Sequence, residues 1–180
     1  SNFVRDSLRA KTEKPVFVIP HAIKAPAVDG AAARAKLGIP PNAFMFLCAF
    51  DYNSFVTRKN PGAAVEAFVR AFPEAGSGPD VRLVVKAHGG QMSFSRERSA
   101  LMAILEDDPR IMLIDEVMSR DGLAQLQAAS NAFVSLHRSE GFGLNIAECM
   151  AAGKVVIATD YSGSTDFVSA DCAMPIGYKL

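Results

Sequence analysis

The 180-residue chain is long enough for one domain with a substantial core, and 49% hydrophobic with 21% charged residues is an ordinary globular composition. Nineteen basic residues against nineteen acidic ones leave no field that would favour nucleic acid or an anionic membrane. No apolar run approaches the ~20 residues needed to span a bilayer, and no secretory signal opens the chain, so no transmembrane segment is expected. Cys48, Cys149 and Cys172 each sit alone in apolar stretches. They read as reduced, buried thiols of a cytoplasmic protein, with no disulfide framework or metal knuckle.

In chain order, a polar segment (5–13) precedes a β-rich run between prolines at 14–21, KPVFVIPH, and a loop at 22–30. Residues 31–37 have helical character and stop at Gly38, before Pro40 and Pro41. The apolar run 44–50 is of strand length. A polar stretch, 51–60, carries Arg58 and Lys59, and Pro61 suits a helix first turn with Asn60 as N-cap. Ala64, Val65, Phe68, Val69 and Phe72 follow helical spacing.

The alternation then repeats. Strands are predicted at 81–87, 111–115, 132–136 and 155–159. Helices are predicted at 93–106 (Phe94, Leu101, Ile104 and Leu105 inward), 119–129 (Leu123 and Leu126 inward, opened by Ser119 with Gly122) and 143–152. A short helix at 165–169 and a β-like piece at 173–178 follow. Strands apolar throughout, each followed by an amphipathic helix, imply a parallel sheet covered on both faces. Right-handed crossovers make it an α/β, doubly wound, Rossmann-like sheet. Such sheets bind ligands beyond the carboxyl ends of their strands, here the loops 51–60, 88–92, 116–118, 137–142 and 161–164.

Within SEGFGLNIAECMAAGKVVIAT, Glu140 and Glu148 bracket seven residues. Gly141 and Gly143 permit close backbone approach, and the helix that follows offers free amides and a positive dipole end, a combination that receives phosphate. The same glycines could simply close a tight turn. Glu148 lies in a helix with no other charge, beside Ile146, Cys149 and Met150, where a carboxylate needs hydrogen-bond partners. A ribose diol would supply them, as would a neighbouring lysine. Arg58 and Lys59 could neutralise a diphosphate across the crevice, or be solvated surface. Lys86 is a weaker candidate of that kind. His21, His88 and His137 each follow a strand, without catalytic-triad or metal-ligand spacing. There is no P-loop and no GxGxxG after the first strand.

These residues resemble the E-x7-E region of retaining glycosyltransferases of family 4, which have the two-domain GT-B fold. VIPHAI, LGIPPNAFMFL and FDYNSFVTRKNP are similar in order and spacing to that family's interdomain strand, lead-in to the second domain and phosphate loop. The resemblance covers the chain from about residue 14 onward. It implies a C-terminal, donor-binding half: one domain over 1–180, with a leading segment at 1–43 and a Rossmann-like core at 44–180, and with the N-terminal acceptor domain absent.

It further implies that Glu148 holds the ribose and Glu140 lies at the donor sugar. The backbone at Phe142, Gly143 and Leu144 contacts the diphosphate, which Lys59 neutralises. The family's usual arginine falls in a Gly-Arg-Leu stretch where this chain has Ala49, Phe50 and Asp51, and Arg58 takes its place. The base lies near Asp115, Glu116 and Val117. Catalysis would rest on Glu140, Lys59 and Arg58, with no cofactor and no metal, since no Asp-x-Asp motif is present. The donor would be a UDP- or GDP-sugar. The acceptor would be a saccharide or lipid-linked saccharide held by the missing domain, in surface-polysaccharide assembly, in the cytoplasm or at the inner face of the membrane. The fragment alone is expected to transfer nothing. A non-catalytic nucleotide- or phosphate-binding module and a GT-B sugar-nucleotide epimerase are the alternatives.

Overall fold

Along β1 (Phe44–Ala49), Met45 and Leu47 point to one side of the sheet and Phe46 and Cys48 to the other, and both sides are apolar. β2 (Val81–Ala87) repeats this with Leu83 and Val85 opposite Val84. Two-sided burial explains why β1 reads as an unbroken hydrophobic run rather than an alternating one. The computed structural model describes residues 1–25, 27–73, 78–89 and 96–179. β3 (Ile111–Asp115), β4 (Ala132–Ser135), β5 (Val155–Thr159) and β6 (Met174–Ile176) complete a six-stranded sheet. Its order is β3-β2-β1-β4-β5-β6, and every pairing is parallel. The order reverses between β1 and β4, which opens a crevice at their carboxyl ends.

Helices cover both faces. α4 (Pro61–Ala71) and α5 (Arg96–Asp107) pack on the Leu83 side through Val65, Phe68, Leu101 and Leu105. α2 (Ala31–Lys36), α6 (Arg120–Ala129) and α7 (Leu144–Ala151) cover the other through Leu126, Ile146 and Cys149. The Arg34 guanidinium ties α2 to the carbonyls of Ala129, Pro40 and Ala43. α6 opens as expected, with Ser119 Oγ accepting from the Gly122 amide.

Several expectations are corrected. The run 14–21 forms no strand: Phe17 is 82% and Ile19 87% exposed, because no neighbouring strand meets the run and Pro15 and Pro20 lack amide donors. The first half of the polar segment before it (5–13) instead belongs to a helix, α1 (Asn2–Arg9), capped by Ser1. α1 is held by tertiary contacts: Asn2 donates to the Asp166 carboxylate and Phe3 meets the Tyr161 ring edge-on. A short helix, α3 (Val56–Lys59), appears inside the polar stretch 51–60. Asn60 does not cap α4 with its side chain; it is left-handed, and its amide donates to Leu136 O across the crevice.

In α5, Ile104 is 39% exposed rather than inward; Phe94, and positions 93–95 generally, lie outside the described residues. The turn after β5 is a 3-10 helix at Ser162–Asp166, earlier than the helix expected at 165–169. Cys172 is exposed, unlike Cys48 and Cys149, because it sits beyond the sheet between β5 and β6. Among the described residues no helix is long and apolar enough to cross a membrane.

Candidate active site at the carboxyl edge of the sheet

The loops after β1, β4 and β5 converge on Glu140. Lys59 Nζ donates to Glu140 Oε1 at 2.5 Å, and Arg58 Nη1 lies 3.4 Å from Oε2. Arg58 Nη1 also donates to Ser139 O at 2.7 Å, and the Arg138 amide donates to Arg58 O. α3 thus presents two consecutive cations to one loop, a placement made possible by the left-handed residue Asn60 that ends it. From the other side, the Glu140 amide donates to Ser162 Oγ at 2.7 Å and the Gly163 amide to Glu140 O at 2.9 Å. A Cβ on Gly163 would stand 2.1 Å from Gly141 O, so only glycine admits this approach. The Glu140 side chain is 12% exposed and that of Lys59 20%.

α7 starts at Gly143, whose φ of 94° is left-handed and which provides no side-chain cap. The first backbone bond of the helix runs from the Ala147 amide to Gly143 O, so the amides of Leu144, Asn145 and Ile146 precede the ladder and carry the positive end of the helix dipole. One turn further on, Glu148 Oε2 accepts from Gln127 Nε2 at 3.0 Å, while Oε1 faces Arg120 Nη2 at 3.5 Å. Arg120 is 87% exposed, so its charge is solvated and Oε1 is the more approachable oxygen.

Lys59, Glu140, Phe142, Gly143, Leu144 and Glu148 line one open cleft of about 390 Å³. Arg58 does not line it and acts on Glu140 from behind. Asp115, Glu116 and Val117 lie at the carboxyl end of β3, two strands from β1, and are not among the cleft residues; Val117 is 79% exposed. Lys86 is buried and spent on carbonyl oxygens, donating to Ala87 O and to Glu116 O, and its burial pushes its pKa down.

The three histidines separate. His88 Nδ1 lies 3.7 Å from Asp51 outside the cleft. His137 is buried, with Nδ1 against Ser135 and Nε2 3.2 Å from Tyr161 O; burial lowers its pKa, and its contacts brace the β4 and β5 ends together. His21 lines the cleft. Sequence reading missed Gln127, Arg120 and Ser162 as partners of the two glutamates.

A doubly wound domain with an uncapped helix N-terminus at its strand-end crevice has the geometry of an anion-receiving site. The family follows from comparison. The model of glycosyl transferases group 1 matches residues 31–172, and the chain belongs to that family. A D-inositol 3-phosphate glycosyltransferase from a Nocardioides strain is 30% identical over 153 residues, covering 78% of this chain and 32% of its own. The chain thus spans about a third of that relative's length.

Among solved structures, the C-terminal domain of the group 1 protein LpcC from Francisella tularensis superposes with a TM-score of 0.63 at 21% identity, covering 86% of this chain and 77% of that one. Anabaena Alr3699/HepE, solved in complex with UDP and glucose, superposes with a TM-score of 0.60 at 22% identity over 78% of this chain and 36% of its own. The fold is that of the C-terminal half of a GT-B glycosyltransferase.

Proposed function

We propose that this chain is the donor-binding domain of a retaining, metal-independent glycosyltransferase that moves a sugar from a nucleoside diphosphate to an acceptor hydroxyl. The observation that carries this reading is the placement of Glu140 and Glu148 at the two ends of the uncapped start of α7, in one cleft with Lys59. The ribose diol donates to Glu148, whose Oε1 is the open oxygen. The diphosphate rests on the amides of Gly143 and Leu144 beside Phe142, facing Lys59. The base extends along the strand ends toward Asp115, Glu116 and Val117.

In transfer, the bond from the anomeric carbon to the β-phosphate oxygen breaks, a bond to the acceptor oxygen forms on the same face, and the acceptor hydroxyl's proton passes to the departing phosphate. The leaving diphosphate gathers negative charge, which Lys59 and the helix N-terminus stabilise without reorganisation, an electrostatic form of catalysis. Both oxygens of Glu140 face cations, with Arg58 acting through it, and in this reading Glu140 orients the donor sugar. The acceptor, a saccharide of surface-polysaccharide assembly, is held by a second domain outside these residues.

Calorimetric titration of UDP and GDP tests the reading. One of them binds the parent, and Lys59→Ala weakens it about tenfold or more, the loss of one charge-assisted contact. Equal affinity in parent and variant would remove Lys59 from the phosphate site. Undiminished binding in the presence of a chelator is expected for a metal-independent site.

A further inference from the structure

The geometry points to His21 as a further ligand of the diphosphate, an inference that rests on the donor-binding reading of this cleft. His21 sits on the extended segment that follows α1, where Phe17 and Ile19 are exposed and bury nothing. Its ring nevertheless has a defined place: it meets Phe142 edge to face, with centroids 5.0 Å apart and planes at 65°. Phe142 is itself stacked on Phe167 at 5.1 Å. Phe142 immediately precedes Gly143, so this aromatic stack holds an imidazole beside the uncapped start of α7. His21 lines the same cleft as Lys59 and Glu140, and neither ring nitrogen has a hydrogen-bond partner among the described residues.

The charge balance says what the imidazole is for. Lys59 already shares its charge with Glu140, and Arg120 lies at the opposite end with Glu148. An anion arriving at α7 therefore meets backbone amides and one partly committed ammonium, which leaves phosphate oxygens in want of a further donor. His21, carried by a segment outside the sheet and lining the same cleft, supplies such an N–H. A ring serving only to pin the segment to Phe142 would be as well served by phenylalanine.

Two substitutions separate these roles. His21→Phe keeps the ring and removes the donor; His21→Gln keeps an N–H and removes the ring. Binding of UDP, GDP and inorganic pyrophosphate is measured by calorimetry on the whole chain. His21→Phe is expected to weaken the better-bound nucleotide and pyrophosphate about five- to tenfold, the effect of one hydrogen bond to a charged group, while His21→Gln stays within about twofold of the parent. Parent-like binding by His21→Phe overturns the inference while leaving the donor site intact, and so does a loss confined to His21→Gln. A parent that binds neither nucleotide nor pyrophosphate overturns the donor-binding reading itself.

Discussion

Lys59 Nζ and Glu140 Oε1 are 2.5 Å apart although 81 residues separate them in the chain, and this pair joins the loop after β1 to the loop after β4. It spans the point where the strand order reverses, which is where the crevice opens. The pair both closes the fold at that point and sets the charge that an incoming anion meets.

Glu140→Gln separates those two roles. The variant leaves Lys59 and Arg58 uncompensated, and stability falls by about 1–3 kcal/mol, between the values for exposed and buried pairs. Removing one negative charge a few ångströms from the anion site of this open, solvated cleft tightens UDP or GDP about three- to tenfold, from a Coulomb energy of roughly 1 kcal/mol at the dielectric of water. Weaker nucleotide binding would mean that the carboxylate is needed to aim Lys59.

Gly163→Ala forces the Ser162–Asp166 turn away from the Glu140 loop, because the new Cβ would meet the carbonyls of Gly141 and Glu140, which are backbone and cannot swing aside. Overpacking against backbone costs about 2 kcal/mol or more, which lowers Tm by roughly 5 °C in a chain of this size. Nucleotide affinity falls with it, since Ser164 of the same turn stands against Gly143 at the start of α7. A thermal melt and a titration unchanged from the parent would show that the two loops are not in contact.

The buried His137 gives stability a pH dependence. Its folded pKa lies below the ordinary imidazole value of 6.5, chiefly through burial, so the unfolded chain takes up a proton that the folded chain resists. Stability is therefore fully present above about pH 6.5 and declines as pH falls from that value through the folded pKa. Thermal melts from pH 7.5 to 5.5 should show a falling Tm in the parent and a shallower fall in His137→Gln. Identical slopes would remove His137 as the source.

The thiols divide two to one. Burial pushes the Cys48 and Cys149 thiols up to about 12, whereas Cys172 is exposed. A thiol-specific reagent should modify Cys172 alone in the folded chain and all three in denaturant, and mass spectrometry reads the sites. Rapid modification of Cys48 would contradict its place in the β1 core.

The sheet was legible because it rests on local patterns. The run 44–49 is apolar on both faces, 83–85 and 155–158 are apolar cores of their strands, and the helices between them carry one apolar stripe. The 14–21 run failed for the complementary reason: its composition suits a strand, but a strand exists only where another strand meets it, and that is a tertiary fact. The polar α1 was invisible because its hold comes from Asp166 and Tyr161, more than 150 residues away.

At the site, Glu140, Glu148 and the start of α7 could be read from spacing and glycine placement. What could not be read was that Arg58 turns behind Glu140 while Lys59 faces the cleft. A four-residue helix ending at a left-handed asparagine decides that, and no periodicity reports it. The partners of Glu148 come from α6, whose rotation relative to α7 is set by packing around Leu126.

The central claim is that the start of α7 receives a diphosphate and that Glu148, one turn further on, recognises a ribose. Its most direct measurement compares a nucleoside diphosphate with inorganic pyrophosphate against Lys59→Ala and Glu148→Gln by calorimetry. Lys59→Ala should weaken both ligands. Glu148→Gln should weaken the nucleotide about tenfold, the value of a charge-assisted hydrogen bond, and leave pyrophosphate unchanged. Equal loss of both ligands in Glu148→Gln, or loss of neither in Lys59→Ala, would contradict that division.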